Sequence, residues 1–180
     1  LLRRVTYDLT GLPPTVSEIE EFVRDSAPTP KALEKVVDRL LDSEAFGERW
    51  GRHWLDIARY AETNGSSRDY IYHHAWRYRD YVIDSFNKDK PYDEFVREQI
   101  AGDLMSGDTP EQRDERRIAT GFMTLSSKDL VTNRSKEEFV LLNIGAEQID
   151  VMSRAFMAST IGCAQCHYHK FDPISDDDFY

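Results

Sequence analysis

The chain has only two cysteines, and both lie in the pentapeptide Cys163-Ala164-Gln165-Cys166-His167. C-x-x-C-H is the attachment motif of c-type haem, in which each thiol forms a thioether with a vinyl group of the porphyrin. His167 follows directly, so its imidazole is placed to bind the iron from the proximal side. We therefore predict covalent haem c at Cys163, Cys166 and His167.

Two other chemistries are compatible with the same cysteines. A zinc ion would be bound by Cys163, Cys166 and one or both of His167 and His169. Zinc sites usually assemble from two knuckles far apart in sequence, whereas this chain has no second cysteine pair. A local disulfide between the two cysteines, or a pair of inert thiols, is the third interpretation.

A haem whose sixth coordination position is filled by His or Met transfers electrons. A haem whose sixth position is open binds small ligands. No Met follows His167, and His169 is too close in sequence to reach the opposite face of the haem easily. Our distal prediction is His53, between Trp50 and Trp54, although this position also suits a half-buried histidine that bonds a neighbour. The other upstream candidates are His73, His74, Met105, Met123, Met152 and Met157.

The residues after the motif favour contacts with the cofactor. Asp172-Pro173 indicates a turn, and Phe171 and Ile174 would cover one edge of the haem. We assign Lys170 to cofactor binding, as the partner of a haem propionate. The alternative is a surface lysine beside a turn.

Composition and charge narrow the class of protein. With 180 residues, 40% hydrophobic and 31% charged, the chain is expected to form a single helical haem c-type domain over residues 1–180. Its net charge of -10 argues against nucleic acid as a partner. No run of about eighteen apolar residues occurs, so we expect no transmembrane segment. Because the chain lacks an initiator Met and a signal peptide, we interpret it as an excerpt of a longer protein.

The elements that must position the motif are helical, because apolar residues recur with helical spacing nearly throughout. Helices are predicted to begin at Thr15, in a capping box with Glu18, and at Pro30. The further predicted helices span 43–62, 75–87, 91–104, 110–121 and 136–161, with loops at 63–74 and 124–134. The predicted fold class is all-α, an irregular multi-helix bundle of about six to seven helices with a C-terminal C-x-x-C-H loop.

The longest predicted helix leads directly into the motif. Ser135 is expected to cap its start and Gly162 to end it. Its apolar stripe consists of Phe139, Leu142, Ala146, Ile149, Met152 and Phe156. We therefore expect a long buried helix that supports His167.

Residues 59–80 are rich in Arg and Tyr. Such residues line pockets for sugars or carboxylates, but they also build ordinary helix–helix interfaces, which is the interpretation we favour. Asp56, Glu62 and Asp69 would supply the carboxylate pair of glycoside chemistry if two of them met in the fold.

Six short stretches carry a family resemblance, and they are distributed over nearly the whole chain: residues 4–14, 60–65, 76–80, 91–96, 163–167 and 170–174. Together they resemble the cytochrome-like domain of planctomycete-type secreted cytochromes. That domain of unknown function typically follows a small cytochrome c-like domain and precedes another uncharacterised domain in long exported proteins. Tyr168 departs from the pattern, since an acidic residue is frequent there.

The resemblance implies export, to the periplasm or cell surface, and haem c carried by Cys163, Cys166 and His167. The function we expect is electron transfer within a multidomain protein, with a redox partner protein or a neighbouring cytochrome c domain in the same chain. Members often accompany polysaccharide-degrading and sulfatase functions, so the alternative is a haem-linked oxidative enzyme module acting on carbohydrate. A third class is a binding module stabilised by zinc or a disulfide.

Overall fold

The computed structural model describes residues 1–65, 69–107, 109–125 and 137–180. Within these residues, extended pairing is limited to one antiparallel bridge between Thr63 and Ile71, and the predicted all-α class is confirmed. The described α-helices are α1 (Leu2–Thr10), α2 (Val16–Arg24), α3 (Thr29–Leu41), α4 (Glu44–Ile57), α5 (Ala75–Asn87), α6 (Tyr92–Ala101), α7 (Pro110–Ala119), α8 (Glu137–Met157) and α9 (Asp176–Phe179). Short 3-10 helices span Gly102–Leu104, Thr120–Met123 and Ile161–Gln165. The predicted cap at Ser135 and most of the predicted loop 124–134 lie outside the described residues.

The helix starts follow the capping signals in the sequence. Thr15 accepts a hydrogen bond from the Glu18 N–H (3.3 Å), and the Glu18 carboxylate accepts one from the Thr15 N–H (2.6 Å). This reciprocal pair confirms the predicted capping box of α2. Ser43 caps α4 by accepting from the Ala45 N–H (3.3 Å). Pro110 occupies the first turn of α7, where its missing N–H costs nothing.

Two helices end earlier than their apolar patterns predict. The chain leaves α4 after Ile57, and Arg59 has a left-handed backbone with φ of 56°. It leaves α8 after Met157, and Ala158 is also left-handed with φ of 51°. The prediction that Gly162 ends this helix is wrong, because the reversal occurs four residues earlier (162 minus 158).

The core is centred on Trp54 of α4. Its ring centroid lies 4.9 Å from that of Phe95 and 5.9 Å from that of Phe156, so α4, α6 and α8 meet at this side chain. Gly47 allows α4 and α5 to approach closely, since a Cβ there would lie 2.5 Å from the Ile83 carbonyl oxygen. The core cluster consists of Trp54, Leu55, Ala58, Ala75, Tyr78, Tyr81, Val82, Phe95, Ala119, Phe122, Leu125 and Val151.

Beside this core lies a buried group of charges. The Glu98 carboxylate accepts hydrogen bonds from the Tyr81 hydroxyl (2.8 Å), Lys90 Nζ (2.5 Å) and Arg116 Nε (3.4 Å). Lys90 Nζ also contacts Glu115 (3.1 Å). Because every one of these buried charges has a partner of opposite sign, the group joins α5, α6 and α7 without leaving an unpaired ion.

Helix α8 is only partly the buried element that its sequence predicts. Val151 is buried, and Met152 and Phe156 pack against the core. In the first half of the helix, Phe139 and Leu142 are exposed, which corrects the expectation of a long buried helix. None of the described helices is both long and apolar enough to cross a membrane.

Candidate functional site

The C-x-x-C-H motif begins inside the 3-10 helix Ile161–Gln165, which we call the cysteine turn. The Cys163 N–H donates to the Thr160 carbonyl (2.9 Å), which fixes the start of the turn. Ala164 is completely buried and anchors the turn to the protein. Cys163 and Cys166 are free and exposed on either side of this anchor. The turn therefore presents both thiols at the surface.

Gly162 lets the cysteine turn lie against α8. A Cβ at this position would be 2.4 Å from Oδ1 of Asp150, closer than a Cβ approaches any non-bonded atom in proteins. The contact leaves an open cleft of about 360 Å³ between the turn and the helix. Its lining residues are Asn143, Ala146, Glu147, Asp150, Arg154, Gly162, Cys163 and Gln165.

Charged side chains of both signs line this cleft, and Glu147 connects it to Arg59. Arg154 Nε donates to both oxygens of Asp150 (2.8 and 2.9 Å), and this bond raises the pKa of Arg154, with a smaller contribution from Cys163. Arg59 forms an ion pair with Glu147 and donates through Nη2 to the Phe122 carbonyl (3.2 Å). Burial lowers the pKa of Arg59, while the Asp150 charge opposes that shift.

His167 is exposed, and one nitrogen of its ring is already committed. Nδ1 lies 2.8 Å from the Tyr168 carbonyl oxygen. A carbonyl oxygen only accepts, so Nδ1 carries a proton, and in the neutral imidazole Nε2 keeps a free lone pair. Histidines that bind metal through Nε2 commonly have this second hydrogen bond from Nδ1 to a backbone carbonyl.

His169 is the opposite of His167, because its side chain is only 4% exposed and both ring nitrogens are engaged. Nδ1 accepts from the backbone N–H groups of Asp172 (2.9 Å) and Phe171 (3.4 Å), and Nε2 lies 3.0 Å from Thr160 Oγ1. An Asp172 carboxylate oxygen is also 3.2 Å from Nδ1, but two N–H donors at that nitrogen require it to be unprotonated. His169 therefore serves the fold of this segment.

Exposed aromatic rings surround the motif. Tyr168, Phe171 and Tyr180 all lie at the surface, with Phe171 84% exposed. Lys170 Nζ is 5.3 Å from the Phe171 ring centroid, so the residue predicted to pair with a propionate lies beside the residue predicted to cover a haem edge. The acidic residues Asp176, Asp177 and Asp178 form the first turn of α9, and Ser175 caps this helix by accepting from the Asp178 N–H (3.1 Å).

The predicted distal ligand, His53, lies on the exposed face of α4. Its ring packs against Trp50 with centroids 5.4 Å apart. Among the residues that the structure describes, no hydrogen bond or ring contact joins His53 to the segment 158–180. The structure does not bring it together with His167, and its role as sixth ligand stays a prediction.

The other upstream candidates are scattered. His73 and His74 line a separate open cleft of about 590 Å³ with Tyr72, Arg77 and Tyr78. Met123 and Met152 pack against the core, Met105 is half-buried and Met157 is exposed at the end of α8. The described part of the chain contains no group of three or more His, Cys, Asp or Glu residues arranged to hold a metal ion.

The carboxylates considered for glycoside chemistry also have separate partners. Asp56 pairs with Arg52 (2.9 Å), and Glu62 accepts from the Tyr60 hydroxyl (3.3 Å). Asp69 accepts from the Gly65 N–H (3.2 Å). No acid–base pair is formed by these three in the described residues.

Two residues of the cleft, Asp150 and Arg154, are not predicted as part of the site. Their i,i+4 spacing on α8 predicts an ion pair. Nothing in the sequence indicates that the pair lies beside Cys163, because that contact depends on the chain reversing at Ala158.

Fold and site together define an all-α protein that presents a C-x-x-C-H segment at its surface. The chain belongs to the PSCyt2 family, described as a protein of unknown function (DUF1549), and the match spans residues 1–180. Its expected membership of a domain-of-unknown-function family is thereby confirmed. No curated protein and no solved structure matches the chain.

Proposed function

We propose that this chain is a c-type haem module that transfers electrons within an exported multidomain protein. The observation that carries the proposal is the state of three adjacent side chains. Cys163 and Cys166 are exposed free thiols, and the exposed imidazole of His167 has its Nε2 lone pair free. Thioether formation and proximal ligation require these three features.

The neighbouring residues fit the same group. The exposed rings of Tyr168 and Phe171 offer apolar area for a porphyrin edge, and Lys170 offers a cation for a propionate. When bound, haem supplies a one-electron carrier whose potential depends on its axial ligands and on its exposure to water. The protein would hold the His167 imidazole in one tautomer. It would also leave the haem edge attached at Cys163 and Cys166 accessible to a redox partner.

Zinc is less well supported than haem at this position. Tetrahedral structural zinc needs four protein ligands. Cys163, Cys166 and His167 provide three, but His169 uses both ring nitrogens within the protein. Its recruitment would break the hydrogen bonds that order the segment, so haem, with one histidine and two thioethers, suits the available groups better.

The oxidative enzyme module is a second candidate because of one observation away from the motif. The cleft of about 590 Å³ combines the aromatic side chains Tyr72 and Tyr78 with His73, His74 and Arg77. Aromatic faces beside hydrogen-bond donors are the usual lining of small polar-ligand sites. Reduction of the haem-loaded protein by a sugar, abolished by Arg77→Ala, would favour this candidate over electron transfer alone.

The test of the main proposal is maturation in a host that exports the chain and attaches haem c. We expect a pyridine-haemochrome spectrum of covalent haem that survives acid–acetone extraction. Cys163→Ala and Cys166→Ala each leave one vinyl group unreacted and shift the haemochrome band, whereas Ser17→Ala on exposed α2 serves as the matched control. His53→Ala removes the six-coordinate low-spin spectrum if His53 is the distal ligand.

Absence of covalent haem, in a host where a second c-type cytochrome matures normally, would overturn the proposal. Metal analysis and intact mass of the same sample then identify the alternative. Bound zinc indicates the metal-stabilised binding module, and the loss of two hydrogens indicates the disulfide.

A further inference from the structure

The histidines at positions 167 and 169 use their ring nitrogens in opposite ways. His167 donates from Nδ1 to the Tyr168 carbonyl and keeps Nε2 free. His169 accepts at Nδ1 from the Asp172 N–H, so its proton is on Nε2 and is donated to Thr160 Oγ1. The chain therefore places one ligand-ready imidazole beside one that is fully engaged in the protein.

The two partners of His169 lie on opposite sides of the motif. Thr160 precedes the cysteine turn, and its carbonyl also accepts from the Cys163 N–H (2.9 Å). Asp172 lies in the turn that follows the motif. The His169 N–H adds a third link by donating to the Ile174 carbonyl (2.9 Å). The buried ring thus closes the loop that contains both thiols and His167.

The exposed residues of this loop have little packing of their own. Cys163, Cys166 and His167 are all exposed, so their positions depend on the backbone that carries them. Fixing the backbone of each residue costs conformational entropy, and hydrogen bonds partly shielded from water offset some of that cost. The Thr160–His169–Asp172 bridge joins the two ends of the loop through the buried His169 ring, with Thr160 and Asp172 themselves at the surface.

We propose that His169 is the positioning residue of the haem-attachment segment, which orients the His167 imidazole for the iron and is not itself an iron ligand. This inference rests on the proposed function. It predicts that a change at either end of the bridge alters the bond between His167 and iron while both thioethers still form. Loss of a direct outer-shell partner of a metal ligand typically weakens metal binding by about 10–100-fold. His169 acts on His167 through the backbone of the loop, so we expect an effect at the lower end of that range.

Two variants remove the same hydrogen bond from its two ends. Thr160→Val keeps the shape of the side chain and removes the acceptor, and His169→Asn keeps an acceptor for the Asp172 N–H and removes the donor. Thr124→Val is the matched control, because Thr124 is exposed and, within the described residues, its hydroxyl donates to the nearby Gly121 carbonyl (3.2 Å). In haem-loaded protein we expect both bridge variants to retain covalent haem. The imidazole concentration that displaces the proximal ligand should fall about tenfold or more, with shifted low-spin EPR g values.

Two spectroscopic outcomes would overturn the inference. If the bridge variants need the same imidazole concentration for ligand displacement as the control and have the same EPR g values, His169 does not act on His167. Loss of a low-spin ligand in His169→Asn but not in Thr160→Val would show that His169 binds the iron itself.

A measurement on the haem-free chain separates this inference from the proposed function. Nitrogen-15 NMR should show the Nε2–H tautomer for His169 and the Nδ1–H tautomer for His167, and Thr160→Val should leave the His167 ring averaging between tautomers. A parent chain that never attaches haem overturns the proposed function even when these tautomers are found. A His167 ring unaffected by Thr160→Val overturns the positioning role even when haem is attached.

Discussion

The core around Trp54 and the segment 158–180 use aromatic residues in opposite ways. In the core, Trp54 and Phe122 are buried in ring contacts between helices. In the C-terminal segment, Tyr168 and Phe171 lie at the surface, and order comes instead from the hydrogen bonds of His169. The contrast separates two tasks, because burial of apolar area stabilises the fold, while hydrogen bonds order a segment whose side chains stay exposed.

The same contrast extends to the charged groups. The buried Glu98 carboxylate accepts hydrogen bonds from Tyr81, Lys90 and Arg116, so this group of charges serves the fold. Arg154 and Asp150 pair at the surface of a cleft beside Cys163, where solvent still reaches them. Exposed ion pairs contribute little to stability, so the second pair matters for the local environment of the turn more than for the fold.

The largest expected effect comes from matched truncations of one aromatic residue in each region. Phe122→Ala removes a completely buried ring and should lower the free energy of unfolding by about 3–5 kcal/mol. Phe171→Ala removes a ring that is 84% exposed and should change the free energy of unfolding by no more than about 0.5 kcal/mol. Urea denaturation of both variants measures the difference, and equal losses would contradict the division between the regions.

A smaller effect is expected where the two regions touch, at Gly162. Gly162→Ala places a Cβ 2.4 Å from Asp150 Oδ1, and we expect a loss of about 1–3 kcal/mol in unfolding free energy. Asp150→Ala in the same chain should recover much of that loss, since it removes the clashing group. Gly145→Ala on α8 is the matched control. A Cβ there meets nothing within 4 Å, so this change should stabilise the helix by about 0.5–1 kcal/mol. Loss of stability in Gly145→Ala, or no recovery in the double variant, would argue against the contact.

The smallest effect concerns the pH dependence of the core. Burial, and then the charge of Glu98, raises the pKa of the Tyr81 phenol. Above about pH 10 the unfolded chain releases this proton while the folded chain keeps it, so the folded state binds more protons and the unfolding free energy falls as pH rises. Tyr81→Phe removes this difference in proton binding between the two states. Above about pH 10 the unfolding free energy of the variant should therefore fall less steeply than that of the parent chain, by up to about 1.4 kcal/mol per pH unit.

Urea titrations of the parent chain and Tyr81→Phe at about pH 7, 10 and 11 measure this change in slope. At neutral pH the variant lacks the hydrogen bond to the Glu98 carboxylate, worth about 1.5–3 kcal/mol because the acceptor is charged, and this loss sets the baseline. Parallel curves above pH 10 would mean that the Tyr81 phenol is not protected in the folded state.

Local sequence signals predicted the helix starts well and the helix ends poorly. The capping box at Thr15 and the cap at Ser43 involve neighbours within three residues, so they are visible in the sequence. The ends of α4 and α8 depend on left-handed residues, Arg59 and Ala158, whose types carry no such preference. The helix Leu2–Thr10 was not among the predicted elements, although Gly11 ends it with a φ of 70°.

Burial along α8 shows a second limit of sequence patterns. An apolar stripe indicates which face of a helix is apolar, but not how far the rest of the protein extends along it. Phe156 reaches the core, whereas Phe139 on the same stripe is exposed. The difference depends on which elements pack beside each turn, which no spacing rule contains.

The sequence by itself determined the all-helical class and the placement of both thiols and His167 in one short motif, because these features depend on residues within about one helical turn. Only the tertiary structure decided which histidine is available. His167 is exposed with a free Nε2, and His169 is buried between Thr160 and Asp172. The physical reason is that a histidine's tautomer and accessibility depend on the groups that surround its ring, and the fold brings these together from both sides of the motif.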